Sequence, residues 1–175
     1  MFDLSARCVI ETPVGQVPVD IVRVGMTVTL ARGGAGVVRW IGRRHFRNLA
    51  TIDIAAGALG GGMPRRPLRL SPDHAVFVGG LLVPVDLLVN GRSIVRRKPG
   101  EADCLHVELD GHDIIIADGA SVESLPPMAG RTMFANASVV QLRPAALEQA
   151  AEDRFDSAWL CRLRETLLAD ERAAG

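Results

Sequence analysis

The sequence carries no net charge, since 20 Lys and Arg balance 20 Asp and Glu over 175 residues. No global field therefore draws the chain to nucleic acid or to an anionic membrane, and neither is expected as a partner. Cysteine is scarce. Cys8, Cys104 and Cys161 are odd in number, far apart, and lack the C-x-x-C spacing of a metal or redox site, which excludes a disulfide framework. With only four scattered histidines beside them, no metal and no organic cofactor is expected. Long apolar runs are missing too: the stretch from Leu81 to Val89 is too short for a bilayer and is broken by Pro84 and Asp86. The first twenty residues hold Asp3, Glu11 and Asp20 without a basic start and apolar run, so no secretory signal is read and a cytoplasmic location is expected. One local excess of charge, Arg39 to Arg47, reads better as solvent-facing positions of a strand and its turn than as a contact patch.

What the chain does have is length for a real core and a change of pattern near its end. From Cys8 to about Ser124, short β-branched or Leu-rich runs alternate with Gly, Pro, Asn and Asp, which predicts an all-β domain. Thr12-Pro13-Val14-Gly15 predicts a turn before a strand over Val17 to Val24. The runs Met26 to Leu30 and Val37 to Ile41 flank a Gly-rich turn and predict a hairpin. Further strands are predicted at Thr51 to Ala55, Leu68 to Leu70, Ala75 to Val78 and Leu81 to Pro84, and Asn90-Gly91 marks a tight turn before Ser93 to Val95. Leu105 to Leu109 alternates apolar and polar, and Asp110-Gly111 predicts a hairpin into His112 to Ala117. On that alternation His106 and Glu108 share one face, opposite Leu105, Val107 and Leu109, so a plain surface position is one reading of His106. Gly57 to Pro67 is read as a mobile loop. Beyond Val139, Leu147, Ala151, Phe155, Trp159, Leu163 and Leu167 recur at helical spacing after Pro144, so residues 135–175 are read as an amphipathic helical tail on a β domain of residues 1–134. Packing of that tail on its own domain is favoured over docking to a partner, because Trp159 would otherwise be exposed.

The residue that most needs a job is His74. Leu70-Ser71-Pro72-Asp73-His74-Ala75 sets it between small polar neighbours inside an apolar run. Such neighbours can fix the tautomer and charge of an imidazole for proton transfer, although Pro72-Asp73 is also ordinary turn chemistry.

Together with Thr12-Pro13-Val14-Gly15, Val24-Gly25, Val38 to Arg43, Ile54 to Gly60, Leu82-Val83-Pro84, Leu88 to Gly91 and His106 to Asp113, this segment resembles a bacterial branch of the Hedgehog/intein (Hint) autoprocessing domains. The resemblance runs from about Asp3 to Phe134 and implies a Hint fold of short strands and hairpins. It also implies a reaction. In such domains an opening cysteine attacks the preceding carbonyl, and the N-to-S acyl shift yields a thioester that water, a thiol or another nucleophile resolves. A Thr-x-x-His motif binds the strained backbone and protonates the departing amine; Ser71 and His74 occupy those places here. His112 resembles a histidine facing the same cleft, with Asp110 and His106 as neighbours, His106 ranking below His112.

The resemblance fails at the opening. Counting nine residues back from Thr12 to the family's cysteine lands on Asp3, with Leu4 in the aromatic position, Arg7 for a glycine and Cys8 for a threonine. A carboxylate is no route to a thioester. Cys8 as a substitute nucleophile would sit five residues away, about 16 Å along an extended strand, so a buried apolar role is favoured for it and for Cys104 and Cys161. Only Met1 and Phe2 precede Asp3, which leaves little to cleave. At the other end, Val122-Glu123-Ser124 stands where splicing inteins have His-Asn, so splicing is not expected. The expected protein is therefore an impaired self-processing domain whose substrate, if active, is its own polypeptide. The alternatives are residual N-terminal cleavage through Cys8 and a non-catalytic module that binds a protein partner.

Overall fold

The computed structural model describes residues 4–5, 8–124, 161–163 and 165–169. In chain order the strands are β1 (Leu4–Ser5), β2 (Val9–Thr12), β3 (Gly15–Pro18), β4 (Thr27–Thr29), β5 (Ala35–Leu49), β6 (Ile52–Ile54), β7 (Leu68–Leu70), β8 (Ala75–Val78), β9 (Leu81–Pro84), β10 (Ile94–Arg96), β11 (Gly100–Leu109), β12 (Ile114–Ala117) and β13 (Ala120–Glu123). They form a seven-stranded sheet, β10-β6-β7-β1-β11-β5-β4, and a six-stranded sheet, β3-β2-β12-β13-β8-β9. The all-β expectation holds.

The strands exist because alternate side chains have a core to enter. β6 and β7 bury their first and third residues, and β2 buries its second and fourth, the period of two of a half-buried strand. One apolar cluster draws on both sheets, with Ile52, Ile54, Leu70 and Leu105 from the larger and Ile10, Val76, Ile115 and Val122 from the smaller. Each is at most 2% exposed, and full burial of such a side chain is worth about 1.5–3 kcal/mol. The sheets are also stitched directly, by a Leu30↔Ile115 bridge and the Ala31 N–H on the Ile114 carbonyl at 2.8 Å.

Several local expectations need correction. Val17 to Val24 is not one strand. Pro18 has no N–H for a ladder, and after it Val19–Ile21 turns as a 3-10 helix that buries Val19 while Val22 N–H bonds the Val19 carbonyl. Arg39 to Arg47 contains no turn; β5 runs straight through it. Asp110-Gly111 does not close a hairpin either. β11 pairs with β1 and β5 while β12 pairs with β2 and β13, so this turn carries the chain from one sheet to the other. The hairpin forms at the second Asp-Gly pair, Asp118-Gly119, where both φ angles are positive, 49° and 85°, as a tight I′-type turn requires. Residues 57–67 form a loop, but a pinned one: Gly57 and Leu59 N–H bond the Pro64 and Met63 carbonyls, Arg65 N–H bonds the Asp118 carbonyl, and Ala58 enters the core.

Of the helical tail, residues 161–163 and 165–169 are helical, Leu167 lies in the same core cluster and Leu163 packs against it. Leu163 and Leu167 therefore pack on the β domain. Leu147, Ala151, Phe155 and Trp159 fall outside the described residues. No helix among the described residues is long and apolar enough to cross a membrane.

Candidate functional site

The turn Ser71-Pro72-Asp73-His74 joins β7 of one sheet to β8 of the other. Its geometry is held by backbone bonds: His74 N–H to the Ser71 carbonyl at 3.1 Å, Val85 N–H to the His74 carbonyl at 2.9 Å, and Asp86 N–H to the Pro72 carbonyl at 3.1 Å. Ser71 and His74 are both buried, at 2% exposure. A buried imidazole on a clamped turn has little rotational freedom, which favours directed proton transfer.

Two ends of the β domain meet this turn. Leu4 of β1 pairs with Leu70 and with Leu105. Both partners run antiparallel to β1, so Ser71 and His106, the residues that follow them, flank the point where the chain enters β1. At the other end, Val122 of β13 pairs with Val76 of β8. Continued two residues along the antiparallel strands, that register sets Ser124 across from His74. Ser124 is 1% exposed, donates its N–H to the Asp113 carbonyl at 2.8 Å and accepts the Asp113 N–H on its Oγ at 3.0 Å.

His106 is thus a correction. Alternation separated the two faces of β11 properly but left open which faces meet solvent. β5 pairs along the whole of 104–109 and β1 covers 104 and 105, and residues 104–109 are all buried, His106 and Glu108 at 2%. Only the topology carries that information. Glu123 was also missed as an interacting residue. Its Oε1 lies 2.6 Å from His112 Nε2, its side chain is 9% exposed, and Oε2 has no hydrogen-bond partner among the described residues. Because side chains alternate along β13, Glu123 and Ser124 face opposite ways. His112, bound to Glu123, keeps its side chain 30% exposed, whereas His74 is buried.

Asp110 lies apart from the turn. It is exposed and forms a two-point pair with Arg39, including Nη2 to Oδ2 at 2.9 Å, and that hydrogen bonding holds its carboxyl below the usual carboxylate range. Cys8 is 2% exposed within the apolar core. Burial first, and the nearby Asp118 charge second, push its thiol well above the ordinary range. Its neighbour Val9 accepts the Asp118 N–H at 2.9 Å, at the closed end of the β12/β13 hairpin. The Asp113–Ser124 pair marks the open end, five residues and roughly 17 Å away along the strand. Cys104 is buried, whereas Cys161 is exposed, contrary to the buried role expected for it. No group of three or more potential metal ligands occurs among the described residues.

The Cys8 environment has a measurable consequence. The folded thiol stays protonated to high pH, while an unfolded cysteine ionises near about 8.5. Below that value the folded and unfolded states bind the same proton and the thiol is neutral to stability. Above it the unfolded state releases a proton that the folded state keeps, so unfolding becomes easier by about 1.4 kcal/mol per pH unit. Urea melts from pH 8 to 10.5 are expected to show that extra slope in the native chain relative to Cys8→Ala. Equal slopes would mean that the thiol is not desolvated.

Comparison with known proteins agrees with this architecture. Residues 4–129 match the Hint domain family model. Among solved structures, the chain is similar to a DnaB intein from Synechocystis, at 11% identity and TM-score 0.53, covering 71% of this chain and 99% of that one. A bacterial intein-like domain from Clostridium thermocellum is similar at 16% identity and TM-score 0.52, with the same coverages. The MchDnaB-1 intein is similar at 16% identity and TM-score 0.51, covering 70% and 99%. No curated protein sequence matches the chain. At such identities the structures speak for the fold alone; the family model spans most of the sequence, and the chain belongs to the Hint domain family.

Proposed function

We propose that this Hint domain descends from self-processing domains, keeps their proton-handling turn and has lost the acyl shift. The observation that carries the reading is the separation of thiol from turn. Ser71 and His74 flank the start of β1 and the end of β13, where a scissile backbone would be held. The one cysteine near the opening, Cys8, is instead locked in the core as a thiol toward the other end of the six-stranded sheet. The attacking species in an acyl shift is a thiolate working beside a proton donor; burial holds Cys8 as a thiol, and its neighbour Val9 bonds Asp118 at the hairpin end away from the His74 turn. Asp3 stands at the family's nucleophile position and cannot form a thioester. In this reading Ser71 binds backbone, His74 is the proton donor, and His112 is an accessory group steered by Glu123. Asp110 serves the surface through Arg39.

The test is intact mass over time for a fusion with a stable domain before Met1, with and without dithiothreitol, beside His74→Ala and Cys8→Ala forms. Unchanged mass in all of them is expected. Thiol-accelerated loss of the upstream domain, abolished by Cys8→Ala, would overturn the reading.

A further inference from the structure

We infer that the groove between the Val19–Ile21 turn and β5 is a docking site for an acidic peptide segment bearing an apolar side chain. The groove has a volume of about 440 Å³ and is lined by Val22, Arg23, Val24, Trp40, Ile41 and Arg43. Its floor is apolar, with Val22 fully buried and Trp40 and Ile41 each 9% exposed. Its lip is apolar too. Val24, 63% exposed, lines it, and Ile21, 51% exposed, precedes Val22 in the chain; they are two of only four exposed large hydrophobic side chains among the described residues. Exposed apolar surface gathered beside a groove, rather than scattered singly, marks an interaction site.

The charge at the rim selects the partner. Arg23 Nη1 donates to the carbonyls of Asp20 and Val22, each at 2.8 Å, and Arg43 Nη2 donates to that same Asp20 carbonyl. Two guanidinium groups thus converge on one neutral oxygen, and neither is paired with a carboxylate among the described residues. Several other arginines do face carboxylates, Arg39 with Asp110, Arg66 with Asp118, Arg69 and Arg97 with Asp53 and Arg96 with Asp86, so what sets Arg23 and Arg43 apart is their convergence on one oxygen at an apolar groove. An incoming carboxylate relieves the repulsion between the two cations and finds their planar donors already oriented, so little side-chain freedom is lost on binding. Leucine- or valine-sized side chains beside it fill the apolar floor. Nucleic acid fits less well, since Trp40 is too covered to serve as a stacking platform and the chain has no net positive charge. This docking does not depend on whether the chain processes itself.

The experiment is fluorescence anisotropy of the full chain with a fluorescein-labelled, acetylated hexapeptide, Asp-Glu-Leu-Asp-Val-Glu. Three competitors complete it: the same peptide with lysine for each acid, one with serine for both apolar residues, and a single-stranded oligonucleotide. Saturable binding of the first peptide is expected, with the two altered peptides at least about tenfold weaker. Arg23→Ala and Arg43→Ala are each expected to weaken it about fivefold or more, and Val24→Ser about threefold. Thermal melts verify that the variants fold; all three positions are exposed. Absence of binding, unchanged affinity in both arginine variants, equal affinity for the lysine peptide, or preference for the oligonucleotide would each overturn the proposal.

Discussion

Replacing Asp3 with cysteine is expected to switch on thiol-accelerated cleavage of the bond before residue 3 in a fusion that carries a stable domain upstream. The expectation joins two independent arguments. The family's spacing from Thr12 puts the nucleophile at position 3. Leu4 pairs with both Leu70 and Leu105, the residues before Ser71 and His106, so on the proposed reading a hydroxyl and an imidazole border the opening of β1. A cysteine with the ordinary pKa of about 8.5 is roughly one-tenth thiolate at pH 7.5, enough to attack a held carbonyl. The resulting thioester yields to dithiothreitol in a way that no amide does. His74→Ala in the Asp3→Cys background is expected to slow release by about 10²–10⁴-fold, the usual worth of a positioned general acid. Intact mass spectrometry reads both numbers. A folded Asp3→Cys variant that stays whole would sink the idea that the scaffold outlasted its nucleophile. Cleavage indifferent to His74→Ala would move the proton donor to His106, which His106→Ala then checks.

How much of this was legible beforehand depends on whether the physics is local. Half-buried strands announce themselves by alternation, as β6 and β7 do, while short apolar runs between turn residues mark β8, β9 and the β4/β5 hairpin. The Asn90-Gly91 turn is local too: the Asn90 side-chain oxygen accepts the N–H groups of Arg92, Ser93 and Ile94. The two Asp-Gly pairs show where local reading stops. Both are good turn chemistry, but Asp118-Gly119 folds a strand onto its neighbour while Asp110-Gly111 changes sheets, and that choice depends on partners far away in sequence. His106 fails for the same reason. A polar residue in an alternating run looks solvated unless one knows that β5 pairs with it and that its strand lies inside the sheet. Ser71 and His74 stand out locally as a histidine among small polar residues in an apolar run, and the family resemblance supplied their expected roles, but their burial could not be read from spacing. Glu123 gave no signal of its own: its link to His112 spans a turn that only the β12/β13 register creates.

The second large effect concerns stability, and it separates the core from the site. Leu70→Ala is expected to destabilise the domain by about 3 kcal/mol, within the range of 2–5 found for buried leucines truncated in well-packed cores. Leu70 is 1% exposed and pairs with Ile52 of β6 and Leu4 of β1, so neighbours on both sides resist collapse into the void. Against a total stability of about 5–15 kcal/mol that is a large fraction, and it lowers Tm by roughly 6–12 °C in a chain of this size. Val14→Ser in the β2/β3 turn, at 95% exposure, is expected to change stability by less than about 0.5 kcal/mol. Urea melts with unchanged m-values check both. Leu70 is also the residue before Ser71, so its void loosens the strand that presents the turn. Placed in the Asp3→Cys background, Leu70→Ala should therefore slow cleavage well below the melting temperature, because a displacement near 1 Å costs about 10²-fold in an oriented reaction. Val14→Ser in that background should leave the rate alone. A cleavage rate insensitive to Leu70→Ala at a temperature where the chain is folded would show that the turn is positioned by its own clamp to Val85 and Asp86 and not by the core beneath β7.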